Sequence, residues 1–262
     1  MKQQVKPYKI TIAVLIFIII VQWLMLAGKK PAGPKELPLK IKGKIAIVID
    51  DWGYNLNNLN LAEEMRFPFT ASVLPNLSYS SEAAWELERR GIEVILHLPM
   101  EPSEKYRLEI NTILVSMGEA DIRGIIRHGL DSLKGVKGVS NHMGSLATAD
   151  ARTMKIVLRE LKLRKLYFLD SYVTAKSVAG VLAQQINLGF ARRDIFLDNK
   201  LDPEYIRRQM EKLKIKARKQ GYAVGIGHDH RLTLLVLKDL IPQIEKEGYK
   251  FVFVSELIGK DR

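Results

Sequence analysis

The 262-residue chain contains no cysteine. That absence removes disulfides, thiol nucleophiles and thiolate zinc sites together, and it leaves histidine and carboxylate as the strong metal ligands available. It does not fix a compartment. Histidine is scarce, at five residues, so the position of each one carries information. Aromatic residues make up only 8% of the chain, and no basic patch is interleaved with them. There is accordingly no RNA-binding signature, and no nucleic-acid partner is expected despite a formal net charge of +12. The positive excess is spread over helix-like stretches such as 207–219 and over the N-terminal arm. It favours an acidic partner such as anionic lipid or cell-envelope polymer. Internal repeats are missing, and long apolar runs are confined to one stretch near the N-terminus.

That stretch is residues 10–27, almost unbroken hydrocarbon interrupted by Thr11 and Gln22, with Trp23 near its far end. It follows a polar stub carrying Lys2, Lys6 and Lys9. The run approaches the roughly 20 residues a membrane-spanning helix needs, and an amphipathic ring suits the interface. A cleaved signal peptide is the competitor, but its apolar region is shorter, and Ala27-Gly28 is a weak cleavage site. Residues 1–28 are therefore expected to be a cytoplasmic stub and transmembrane helix, or a signal peptide. The rest would be anchored outside the membrane, or secreted if cleavage occurs. Residues 29–43, with Pro31, Gly33, Pro34 and Pro38 among lysines, have linker composition.

From Lys44 to the C-terminus, strand-like and helix-like segments alternate. Apolar, β-branched runs at 45–49, 69–74, 93–96, 138–140, 166–169, 191–197, 223–226 and 251–254 are separated by segments with helical spacing. Asp202-Pro203-Glu204 opens one of these helices and Ser80-Ser81-Glu82 another. Alternation throughout predicts an α/β fold with a parallel sheet, and seven or eight units favour a closed or nearly closed (β/α) barrel over residues 44–262.

The ends of the predicted strands share a chemistry. They read Asp50-Asp51, His97, Asn141-His142, Asp170-Ser171, Asp198-Asn199 and His228, with His230 just beyond. In a parallel barrel these positions converge on one face, where barrel enzymes keep their sites. His128, inside a helix, is read as surface or packing. One carboxylate with two imidazoles suits a divalent transition ion such as zinc. Asp51, His97 and His142 are the expected ligands. Because the pleat alternates, adjacent Asp50 and Asp51 are expected to point in different directions, one to a metal and the other to a proton. The plain alternatives are an Asp-Gly turn at Asp51-Trp52-Gly53 and histidines that are simply buried at strand ends.

The series Ile49-Asp50-Asp51-Trp52-Gly53, then His97-Leu98-Pro99-Met100-Glu101-Pro102, Asn141-His142-Met143-Gly144-Ser145, Leu169-Asp170-Ser171 and Gly225-Ile226-Gly227-His228 resembles the divergent polysaccharide deacetylase family of the NodB-like superfamily. The resemblance covers essentially 44–258. It implies a (β/α) barrel, incomplete with about seven strands, and metal-dependent removal of acetyl groups from an acetylated polysaccharide. It also implies Asp50 as general base, Asp51 as metal ligand and His228 as general acid. The better-known deacetylases carry His-x-x-x-His after the third strand, where this chain has His97 followed by Glu101. Either Glu101 replaces the second histidine or His142 supplies the ligand, and His142 preserves ligand softness. Asp170 is a candidate to orient a histidine through its second nitrogen or to contact substrate. Trp52, Glu101, Asn141, Ser171, Asp198 and His230 are the remaining candidates for lining or supporting the site. Two other readings stand beside this one. The first is a catalytically idle barrel that binds glycan or protein. The second is a glycosidase pair formed by Asp50 with Asp170 or Asp198, whose carboxyl separation a sequence does not supply.

Overall fold

The structure is a computed structural model that describes residues 7–27 and 41–258; within the first helix, side chains are described at 12 and 14–25. The chain divides into two compact units, Met1–Leu39 and Lys40–Arg262. Most of the expected linker 29–43, and the polar stub at 1–6, lie outside the described residues.

In the first unit, α1 (Pro7–Ala27) is a 21-residue helix. Its described side chains are apolar except Gln22, and those at 12, 14–20 and 23–25 are exposed apolar residues, Phe17 and Trp23 among them. Among the fully described residues no helix is long and apolar enough to cross a membrane. The fully described part of α1, 12 and 14–25, is shorter than the roughly 20 residues a span needs.

The second unit is an incomplete (β/α) barrel. Its strands are β1 (Gly43–Trp52), β2 (Thr70–Val73), β3 (Glu93–Met100), β4 (Gly138–Met143), β5 (Tyr167–Asp170), β6 (Phe190–Arg192), β7 (Ile195–Phe196), β8 (Tyr222–His228) and β9 (Tyr249–Val252). The helices between them are α2 (Leu59–Glu64), α3 (Ser80–Arg89), α4 (Glu119–Ser132), α5 (Ala151–Leu163), α6 (Ala179–Gln185), α7 (Pro203–Gln220) and α8 (Arg231–Lys246). All pairings between the strands are parallel, in the order β6-β5-β4-β3-β2-β1-β8-β7, with β9 beside the start of β1. Such pairing needs helical crossovers, which the alternation supplies. The predicted strand at 191–197 is two short strands. It breaks at Arg193-Asp194, where Arg193 N–H donates to Asp170 O and Asp194 N–H to Val224 O. One continuous segment therefore bonds to both ends of the curled sheet.

Two apolar cores flank the sheet. The larger lies between strands and helices and holds Ile45, Ile47, Ile49, Trp52, Val94 and Leu96. The smaller fills the barrel interior with Ala46, Val48, Ile95, Leu169, Val224 and Ile226. These two sets alternate along each strand, as a period of two demands. Trp52 is fully buried in the outer core, so it does not line the site, contrary to expectation. Asp202 caps α7 by accepting from Tyr205 N–H, with Pro203 in the first turn, as its sequence predicts. The cap expected at Ser80 differs. Tyr79 occupies the N-cap position, and Ser80 Oγ accepts from Leu77 N–H in the turn before the helix.

The end of the barrel where the strands begin is closed by a polar cluster. Buried Glu93 accepts hydrogen bonds from Thr70 Oγ1 (2.8 Å) and Tyr167 Oη (3.0 Å), and Thr70 Oγ1 accepts from Val254 N–H (3.1 Å). Replacing Glu93 by leucine leaves two buried hydroxyls without their acceptor. Glu93→Leu is expected to lower the unfolding free energy by about 1–3 kcal/mol in urea titrations.

Candidate metal centre

The ends of β1, β3, β4 and β8 build the site. Parallel register places His97 beside Ser140, Pro99 beside His142 and Asp50 beside His228. Partners in parallel register project to the same face, so these polar side chains follow the interior apolar residues as the next layer up.

Alternation alone would turn Asp51 outward. Instead the strand carries a bulge: Ile49 pairs with Ala71, yet Trp52 pairs with Val73, so β1 spends one extra residue there. Asp51 absorbs it at φ +67°, a left-handed conformation that aspartate tolerates better than most residues. Both carboxylates then reach the same histidine. His97 Nε2 lies 3.3 Å from Asp51 Oδ1 and 3.6 Å from Asp50 Oδ2. Their expected divergence is thus corrected by the bulge. Gly53 follows at φ +116°, where a Cβ would sit 3.1 Å from Ser80 Oγ, so the turn needs glycine.

Asp51, His97 and His142 each present one donor atom within 4.8 Å of the others. His142 Nδ1 is 3.2 Å from Asp51 Oδ1. Asp51 Oδ1 is buried and has no hydrogen-bond partner among the described residues, although two imidazole nitrogens stand close to it. An unpaired buried acceptor is costly. A carboxylate oxygen and two imidazoles turned toward one point fit a divalent cation of the zinc type. Burial alone would raise Asp51, but its contacts with His142 and His97 outweigh burial and hold the carboxyl far below its ordinary range. Asp50, buried more completely, is shifted the other way: loss of solvent raises it despite the neighbouring imidazole of His97. Environment separates the two neighbours.

The remaining candidates sort by their contacts. His228 Nδ1 is 2.8 Å from Asp198 Oδ1, and Asp198 Oδ2 accepts from His228 N–H and Thr233 Oγ1 (2.8 Å each). Burial works against the His228 cation, yet the bond and charge of Asp198 reverse that and push His228 up to about 9. The orienting carboxylate is therefore Asp198. Asp170 instead accepts from Tyr172 N–H and Ser177 Oγ, which ties down the loop after β5. With Asp170 and Asp198 both committed to internal hydrogen bonds, a glycosidase pair with Asp50 loses support. Asn141 donates to Met143 O and accepts from Ser171 N–H, and Ser171 Oγ donates to Asn141 O. Both residues are buried and lock β4 to β5. Glu101 accepts from Val115 N–H (2.6 Å), which holds the segment after β3, and it is outside the donor cluster. His230 is exposed at the start of α8, its ring 6.0 Å from that of His228.

Sequence reasoning missed several neighbours. Arg193, at the break between β6 and β7, donates to Ser171 O and Tyr172 O and lies over the Phe196 ring, which stacks on His228. Asn58 donates to Asp229 Oδ1, and burial raises Asp229 to about 7. Ser72 and Ser140 sit behind His97. A serine inside an apolar run, as in Ala71-Ser72-Val73 and Val139-Ser140, was the available signal.

Residues 47–258 match the family model described as divergent polysaccharide deacetylase, and the chain belongs to that family. Over 201 residues it is 36% identical to the protein of Escherichia coli (strain K12) named uncharacterized protein YibQ, covering 77% of this chain and 63% of that relative. The chain thus spans less than two thirds of that relative's length. Uncharacterized protein ATU2773 from Agrobacterium tumefaciens C58 has a similar structure, with TM-score 0.79 and 22% identity over 83% of this chain and 89% of that one. The Bc1960 peptidoglycan N-acetylglucosamine deacetylase is similar at TM-score 0.55 and 14% identity, over 86% and 91% of the two chains. At such identities the two structures establish a shared fold.

The Asp198 contact yields a direct test. In nitrogen-detected NMR titrations His228 is expected to lose its proton near pH 9. In Asp198→Asn, where the charge is gone and burial remains, its pKa should fall by at least about one unit.

Proposed function

We propose that this chain is a metal-dependent hydrolase that removes acetyl groups from a cell-envelope polysaccharide, with a divalent ion, zinc by ligand chemistry, held by Asp51, His97 and His142. The observation that carries the reading is the convergence of these three donors beside a buried carboxylate, Asp50, and a charged imidazole, His228. Membership of the deacetylase family supports it. A divalent ion in this position would polarise the acetyl carbonyl and stabilise the negative charge that develops on its oxygen.

The protein groups perform the proton transfers. Asp50, desolvated and next to the donor cluster, accepts a proton from the attacking water as the new C–O bond forms. His228, kept protonated by Asp198, donates to the leaving nitrogen or oxygen as the acyl bond breaks. The register pairing of Asp50 with His228 sets base and acid on adjacent strands. Asp198 prevents rotation of the imidazole and stabilises its charged form.

The N-terminal run supports a localisation. We place the barrel outside the membrane, anchored by α1, or secreted if that segment is cleaved. The exposed apolar side chains of α1 at 12, 14–20 and 23–25 support this reading, because such a surface favours an apolar environment. An acetylated glycan of the envelope is then the accessible polymer, and the basic character of the chain suits an acidic surface.

Purified full-length protein is expected to contain about one equivalent of zinc and to release acetate from acetylated glycans. Asp51→Ala should lose both. Asp50→Asn and His228→Ala should keep the metal and lose 10²–10⁴-fold in kcat. A protein that binds glycan equally well with and without Asp50 and His228, and releases no acetate, would instead be the idle barrel. With active enzyme, kcat/KM should fall as His228 deprotonates on the alkaline side, and Asp198→Asn should move that limb to lower pH.

A further inference from the structure

Two serines inside the barrel take no part in the steps above. Ser72 on β2 and Ser140 on β4 are both completely buried. Ser140 Oγ lies 2.7 Å from His97 Nδ1 and 2.6 Å from Ser72 Oγ. A buried hydroxyl without partners is costly, and these two satisfy one another in a line that begins at a candidate ligand and runs through Ser140 to Ser72.

The chemistry of imidazole gives that line a direction. His97 turns Nε2 toward Asp51 and Asp50. A nitrogen that takes a cation must present its lone pair, so the ring proton belongs on Nδ1. Nδ1–H then donates to Ser140 Oγ, and the Ser140 proton goes to Ser72 Oγ. The opposite order puts a proton on Nε2, where the cation has to sit. His142 has no comparable support: its Nε2 is buried without a partner among the described residues.

We propose that Ser140, backed by Ser72, is a positioning residue for the metal. It holds His97 in the tautomer and rotamer whose Nε2 faces Asp51 when the cation is bound, and the Ser72 hydroxyl fixes the direction of the Ser140 hydroxyl. The inference rests on reading Asp51, His97 and His142 as the metal centre.

The test uses full-length protein and zinc alone, with affinity measured by competition against a chromophoric chelator. Ser140→Ala should bind zinc 10–100-fold more weakly, the usual loss when the partner of a ligating histidine is removed. Ser140→Thr, which keeps the hydroxyl, should recover most of it. In the zinc-loaded protein, where Nε2 is taken, proton NMR should show the His97 Nδ1–H as a hydrogen-bonded resonance slow to exchange, and Ser140→Ala should move it upfield and speed its exchange. Unchanged zinc affinity together with an unmoved resonance would overturn the proposal. If Ser140→Ala does not fold, Ser72→Ala decides. It leaves the Ser140 proton without its acceptor, so the Nδ1–H resonance should move, and an unmoved resonance overturns the proposal. Zinc affinity and this resonance are read without any hydrolysis. If the variants behave as expected while no acetylated glycan is cleaved, this inference stands and the deacetylase reading falls. A wild-type protein that binds no zinc removes both.

Discussion

The site depends on one extra residue in the central strand. With regular pleating, Asp50 would face the barrel interior, Asp51 the helices, and Trp52 the interior again. The bulge between Ile49 and Trp52 lets two consecutive carboxylates serve one site and sends the indole into the outer core. Its cost is a non-glycine residue in the left-handed region, a strain that persists only where the surroundings over-determine it. Here β8 pairs with β1 up to Asp50, and β2 re-engages at Trp52, so the strand is held on both sides of the irregularity.

The barrel interior is layered by polarity. Glu93, Thr70 and Tyr167 bond to one another where the strands begin, aliphatic side chains fill the middle, and Asp50, His97, Ser140 and His228 occupy the level above. The apolar middle gives the upper layer a floor from which water is excluded. Exclusion of water is what separates the roles of similar groups. Asp50 is raised by burial, Asp51 is lowered by two imidazoles, and His228 stays charged because Asp198 compensates its burial. Two carboxylates adjacent in sequence thus acquire opposite tendencies.

Much of this was legible before folding was considered. The alternation of β-branched runs with helical spacing specifies a parallel sheet with crossovers, and the strand-end series of aspartate and histidine marks one face. Other residues misled for identifiable reasons. Asn141, Ser171 and Asp170 stand at strand ends like the histidines, but they bond to one another's strands and to the following loops. Asp198 resembled Asp170 in sequence, and only the adjacency of β7 and β8 reveals that it holds His228. Ser72 and Ser140 looked like small residues in apolar strands. Their significance is purely spatial.

By itself the sequence determined the layer architecture, because periods of two and 3.6 are local properties of the chain, and it determined which residue types gather at one face, because a parallel barrel collects strand ends. Only the tertiary structure decided which of those residues meet. Register between strands distant in sequence set His97 against Ser140 and Asp50 against His228. The slip between β1 and β2 turned Asp51 inward. Curling of the sheet brought Asp198 to His228. Each of these is a pairing between segments far apart along the chain, and pairing energy of that kind belongs to no single segment.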